Sequence, residues 1–228
     1  MCGRLVLTSN YREKIKAIFD AIDSDEWLPP RYNITPGQRI PVLNQAAPST
    51  LRWINWGHQT APRAGHDTPS RLLINARGET VDRLPTFRDA FVHRRCIVLA
   101  DGFYEWKRAG VKRPQPFFFA RRDLALLPLA GLILEGSSNT GPGAVVITTE
   151  ANALMHEVHD RMPVIFTPET ARAWLEPDAS PGTLMALLQP FPSGDMTSHP
   201  VSDRVNRATS EGPSLIEPVR IVEQTDLF

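Results

Sequence analysis

The chain alternates short apolar runs with polar, proline-punctuated breaks. Leu5-Val6-Leu7 leads a strand within Cys2 to Thr8. Ile40 to Leu43 and Leu51 to Trp56 read as two strands of a hairpin or meander. Arg71 to Ala76 is a short apolar run, and Ile97 to Ala100 a buried strand. Phe117-Phe118-Phe119, Leu129 to Leu134, Ala144 to Thr148 and Ser198 to Val201 supply further strands. Tyr11, Ile15, Ile18 and Phe19 share one face of a helix over roughly 10–20, with Ser9 or Asn10 as its cap. Phe87 to His93 is helical, and Ala151 to His156 makes one or two helical turns. Thr167-Pro168-Glu169 and Ser180-Pro181 each set a hydroxyl cap before a proline at the first helical position. Helices are therefore expected to continue through Ala171 to Leu175 and Leu184 to Leu188. The pattern predicts an α+β fold: a single domain over 1–228, with a mostly antiparallel, barrel-like sheet, short flanking helices and a loose tail after Ile221.

Composition agrees with that picture. At 228 residues and 42% hydrophobic, the chain can bury a substantial core. Its 21 prolines and 14 glycines favour strands and loops over a helical bundle. No apolar run is long enough to span a membrane, and no charged-then-apolar signal region opens the chain, so a cytosolic protein is expected. In a reducing compartment, Cys2 and Cys96 read as a terminal nucleophile and a core residue rather than a disulfide. His58 and His66 fall in a polar loop over 57–70 with no cysteine or acidic ligand pattern around them. They read as exposed loop residues, not metal ligands.

Charge changes the picture. The net charge is zero, but residues 1–122 carry 20 Lys/Arg against 11 Asp/Glu, and residues 123–228 carry 5 against 14. Most of the cations are arginine, which suits bidentate contact with phosphate. A molecule polarised this way could present a basic face to an anionic strand.

The candidate chemistry begins at Met1-Cys2-Gly3-Arg4. Removal of Met1 would leave Cys2 with an α-amine and a thiol on adjacent carbons. Both ionise close enough to neutrality to act as nucleophiles, with reference pKa values of about 8 and about 8.5. Such a terminus can condense with an aldehyde to an imine and close a thiazolidine, or its thiol can attack an acyl carbon with the amine as base. Gly3 permits close backbone approach, and Arg4 offers a cation to an anionic ligand. Asn75 ends an apolar strand where its amide could hold the Cys2 amine or a ligand oxygen. Glu105 lies between Tyr104 and Trp106, an apolar setting that raises a carboxyl pKa toward proton-transfer duty. His159 and Arg161 alternate, so an extended segment would turn both to one side. On residues alone, an N-terminal-nucleophile amidohydrolase, a non-catalytic single-strand binder and a general endopeptidase remain as rival readings.

The chain resembles the SOS response-associated peptidase family, the abasic-site processing proteins. The matching stretches are Met1-Cys2-Gly3-Arg4, Tyr32-Asn33-Ile34-Thr35-Pro36, Trp56-Gly57 and Asn75-Ala76-Arg77-Gly78-Glu79-Thr80. Gly102-Phe103-Tyr104-Glu105-Trp106, His159-Asp160-Arg161-Met162-Pro163 and Ser198-His199-Pro200-Val201 follow in family order, so the set covers nearly the whole chain. The resemblance implies binding to single-stranded DNA and capture of a ring-opened abasic aldehyde by Cys2. By that analogy Cys2, Asn75, Glu105 and His159 are catalytic. Asn75 positions the Cys2 amine, Glu105 shuttles the proton, and His159 protonates the sugar oxygen during ring opening. Arg4, Arg77 and Arg161 clamp phosphates, Pro36 and Thr148 line the strand's path, and Trp106 joins the DNA-binding set. The resemblance also implies self-removal of Met1, a monomer, and chemistry that needs no metal or other cofactor. One departure stands out. Members usually follow Trp-Gly with an apolar pair, a proline and often a second tryptophan. Here the run is Trp56-Gly57-His58-Gln59-Thr60-Ala61-Pro62, so a base-stacking contact worth ~1–3 kcal/mol is missing there.

Overall fold

Strands form where the apolar runs stand, and most of them pair with a neighbour far away in sequence. The computed structural model describes residues 2–8, 10–19, 26, 28–60, 70–107, 114–136 and 141–220. In order these give β1 (Leu5–Leu7), α1 (Tyr11–Ile18), β2 (Arg31–Ile34), β3 (Arg39–Asn44), β4 (Ala47–Trp56), β5 (His58–Gln59), β6 (Leu72–Leu73) and β7 (Asn75–Arg77). There follow α2 (Arg88–His93), β8 (Arg95–Ala100), β9 (Gly102–Lys107), β10 (Gln115–Arg121), β11 (Leu127–Leu134) and β12 (Gly143–Glu150). Then come α3 (Ala153–His156), β13 (Arg161–Pro163), α4 (Pro168–Leu175), α5 (Pro181–Ala186) and β14 (Met196–Pro200).

One sheet is antiparallel throughout, in the order β14-β10-β9-β1-β2. The other closes on itself. β11 pairs β8, β8 pairs β3, β3 pairs β4, β4 pairs β12, and β12 returns to β11. This ring is the barrel that the strand pattern implied, and closure leaves few open edges. β12 is forked. Its first half pairs in parallel with β4 and antiparallel with β11. Its second half pairs in parallel with β7, as Val146↔Asn75 and Thr148↔Arg77, and antiparallel with β13, as Glu150↔Arg161. One main apolar core takes residues from both sheets, from Leu5 and Phe103 to Val98 and Val146. A smaller cluster around Val6, Tyr104, Phe118 and Val205 fills the other face of the first sheet.

The helices follow their caps. Thr167 accepts from the Thr170 amide while Thr170 Oγ1 accepts from the Thr167 amide, closing a capping box at α4. Ser180 accepts from the Thr183 amide at α5 at 3.1 Å. At α1 the expected cap is not made: Asn10 holds the position, but its Oδ1 is taken by Thr8 Oγ1 at 2.9 Å. Arg95 of β8 ties two helix ends to the barrel. Its guanidinium donates to the carbonyls of Phe91 and Val92 at the end of α2 (2.9 and 2.6 Å), and to those of Trp174 and Glu176 at the end of α4 (2.7 Å each).

Several local expectations change. β2 is a strand the pattern did not single out. The run from Arg71 to Ala76 breaks at Ile74 into β6 and β7. His58 is half-buried in β5, paired with Leu73, rather than an exposed loop residue. His66 and the tail after Ile221 lie outside the described residues. Trp56 is wholly buried, with its indole N–H on the Ile74 carbonyl at 3.1 Å, so it packs the core.

Gly102 begins β9. A Cβ there would lie 2.4 Å from the Phe118 ring and 2.7 Å from the Phe119 carbonyl. Gly102→Ala is therefore expected to cost about 1–3 kcal/mol of stability through overpacking. A urea titration that leaves the midpoint unmoved would mean the sheet yields at this point.

Candidate active site

Cys2 is fully buried just ahead of β1, and two neighbouring strands meet it. Asn75 opens β7, fixed by its parallel pairing with Val146. Its Nδ2 donates to the Cys2 carbonyl at 3.0 Å, so the amide grips the backbone of residue 2 rather than its nitrogen. Asn75 Oδ1 is buried and has no donor among the described residues. Glu105 is buried on β9, the strand that pairs with β1 through Leu5↔Phe103. Residues alternate along β9. Phe103 belongs to the main core, while Tyr104 and Trp106 belong to the smaller cluster, so Glu105 shares the inward face with Phe103.

The electrostatics of Cys2 follow from this packing. Burial pushes the thiol well above its ordinary range, and the charge of Glu105 pushes the same way. The positive chain terminus and the Arg4 amide oppose them more weakly. With Met1 in place the thiol is therefore protonated at neutral pH. Cys96 is also pushed up, by burial alone, and its carbonyl accepts from the Trp174 indole at 3.0 Å. It is the core cysteine that the sequence suggested.

A second group rides on the forked strand. Arg77 of β7 is exposed, and Thr148 of β12 is buried opposite it. Thr148 Oγ1 donates to the Ala76 carbonyl at 3.3 Å. Arg161 Nη2 reaches the Thr148 carbonyl at 2.7 Å and Glu79 Oε2 at 2.9 Å, and Nη1 pairs with Glu79 Oε1. The Arg161 fork is thus held by a carboxylate that the sequence reading passed over as one letter of a matching motif. His159 precedes β13. Its Nδ1 accepts from the Arg161 amide at 3.0 Å and lies 2.9 Å from Asp160 Oδ1. Asp160 is largely exposed.

Arg4 and Trp106 gather at the smaller cluster. Arg4 Nη1 donates to Asn33 Oδ1 and to the Val205 carbonyl, both at 2.7 Å, and its guanidinium lies 5.7 Å from the Trp106 ring. Burial lowers its pKa. Trp106 Nε1 donates to Asn206 Oδ1 at 2.7 Å. Asn33 is itself buried and donates to the Arg207 and Ser210 carbonyls at 2.9 Å. Pro36 is half-buried in the turn before Gly37, whose φ of +86° suits glycine. Hydrogen bonds and electrostatics thus join Cys2, Asn75 and Glu105; Thr148, Glu79 and Arg161; and Arg4 with Trp106. Among the described residues, no group of histidine, cysteine and acidic side chains could hold a metal ion. No described helix is long and apolar enough to cross a membrane.

The chain has clear relatives. It is 37% identical over 227 residues to the abasic site processing protein YoqW of Bacillus subtilis (strain 168), covering 95% of this chain and 99% of that protein. Against the abasic site processing protein YedK of Escherichia coli (strain K12), identity is 31% over 231 residues, covering 96% and 100%. A crystal structure of a protein from Bacteroides thetaiotaomicron has the same fold, with a TM-score of 0.81 at 21% identity, covering 96% of this chain and 100% of that one. The model of the family described as SOS response associated peptidase (SRAP) matches residues 1–208. The chain therefore belongs to the SOS response associated peptidase family.

Proposed function

We propose that this chain captures abasic sites in single-stranded DNA through a covalent bond to Cys2, after its own site has removed Met1, as part of the response to DNA damage. The names of its relatives support the substrate. The observation that carries the reading is the setting of residue 2. Its carbonyl is gripped by Asn75, and the Oδ1 of the same amide is buried with no donor among the described residues. An α-amine on Cys2 would supply the N–H groups that such an acceptor requires, since a buried unmatched acceptor is costly.

His159, as imidazolium, gives a proton to the ring oxygen of the abasic sugar while the C1′ hydroxyl loses its own to water, and the bond between C1′ and the ring oxygen breaks to leave the C1′ aldehyde. Glu105 takes a proton from the Cys2 ammonium, and the freed amine adds to C1′. Glu105 returns the proton to the carbinolamine oxygen, which leaves as water to give the imine. The thiol then adds across the C=N bond, its proton passing to nitrogen, and a thiazolidine results. One water is lost overall, and no oxidant, metal or nucleotide takes part. Arg4, Arg77 and Arg161 would hold phosphates beside Pro36 and Thr148, with Trp106 under a base. An abasic site in a single strand is open to this attack because no duplex must be unstacked.

Purified protein and a single-stranded oligonucleotide with one abasic site should give a heat-stable adduct. Its mass should equal the chain without Met1, plus the DNA, minus one water. Glutamine hydrolysis without an adduct would favour the amidohydrolase instead. Glu105→Gln is expected to slow adduct formation about 100-fold or more, as removal of a proton-transfer group does. An unchanged single-turnover rate would remove Glu105 from the mechanism.

A further inference from the structure

We propose that Glu79 is a resident counter-anion for the Arg161–Arg77 pair, which a DNA phosphate must displace, and that it thereby limits how tightly an intact strand is held. The inference rests on the functional reading above and adds a residue that sets its specificity. Glu79 Oε1 and Oε2 cover both terminal nitrogens of Arg161. The carboxylate is the outer member of the pair, with 44% of its side chain exposed against 13% for the arginine. The inner edge of Arg161 is turned to Thr148, and its Nε is buried without an acceptor among the described residues. An incoming phosphate therefore meets Glu79 before it meets the guanidinium.

Glu79 is also kept charged. Hydrogen bonds from Arg161 hold its carboxyl below the usual range, and the charge of Arg77 adds to them. A phosphate that takes its place gains the same fork geometry, but it must first break the paired hydrogen bonds between Glu79 and Arg161. Affinity for undamaged DNA is thereby held down while the covalent step at an abasic site is untouched. The protein can release an intact strand and stay on a damaged one.

The test is binding of the full chain to an undamaged single-stranded oligonucleotide across a salt series. Glu79→Gln should bind about three- to tenfold tighter at moderate salt, with the slope of log K against log salt steeper by about one phosphate contact. Arg161→Gln should lower affinity, and in that background Glu79→Gln should lose most of its gain. Glu169→Gln, at a fully exposed position on α4, controls for net charge and should change nothing. Equal or weaker binding by Glu79→Gln would mean that Glu79 merely props Arg161, and would overturn the inference. An equal gain from Glu169→Gln, or a gain undiminished without Arg161, would overturn it as well. Failure of the parent protein to bind single-stranded DNA at any salt would sink the functional reading and this inference with it.

Discussion

Cys2→Ala is expected to abolish the heat-stable adduct while changing DNA affinity by less than about twofold, because affinity rests on the arginines and not on the thiol. Its terminal amine would still form an imine, which reverses on heating. Cys2→Ser separates the two nucleophiles. It keeps the amine but exchanges sulfur for a poorer nucleophile, so its adduct should survive only after reduction with borohydride. Both changes remove little from the core, about 1 kcal/mol of buried sulfur, so both variants should fold. The thiol's surroundings sharpen the expectation. With Met1 retained, burial and Glu105 keep the sulfur protonated, and iodoacetamide at neutral pH should label neither cysteine in the native chain. Removal of Met1 changes the amide nitrogen of residue 2 into an amine and withdraws the chain ahead of it. Robust crosslinking by Cys2→Ala would end the role given to this residue.

Arg95→Met is expected to be the most destabilising single change in the barrel wall. It would strand the carbonyls of Phe91, Val92, Trp174 and Glu176, which now share one guanidinium. Buried acceptors left unmatched cost about 1–3 kcal/mol each, partly relieved by relaxation, so a loss of about 3–5 kcal/mol is expected. That is a large share of a typical domain's stability. Methionine roughly fills the volume, so the loss would report the missing donors and not a cavity. Arg95→Lys should recover only part of it, since one ammonium cannot span two helix ends. A urea midpoint for Arg95→Met equal to the parent's would refute this account.

Much of the fold was legible because its signals are local. The hydroxyl-proline pairs at Thr167 and Ser180 start helices where they should, and the apolar runs of β8, β11 and β12 are buried strands. What escaped depends on distant partners. β2 has the sequence Arg-Tyr-Asn-Ile, which alternates poorly. It becomes a strand because Ile34 pairs with Leu5 and because carbonyls around residues 205–210 bury Asn33. β13 is three residues long and ends in proline, too short to show a period. The site was half legible. The contact between Asn75 and Cys2 follows motifs that stand out in the sequence, but the Glu79–Arg161 pair spans 82 positions, and no spacing rule reaches that far.

The fork in β12 has a consequence for how the protein fails. One beam carries the barrel seam at one end and, at the other, the neighbours that orient Asn75, Arg77 and Arg161. A slip of one residue along that beam would turn Thr148 from inside to outside. It would also shift the rungs to β7 and β13 by about 3.3 Å. Chemistry and grip would be lost in the same event, so a badly closed barrel should release damaged DNA instead of holding it half-bound.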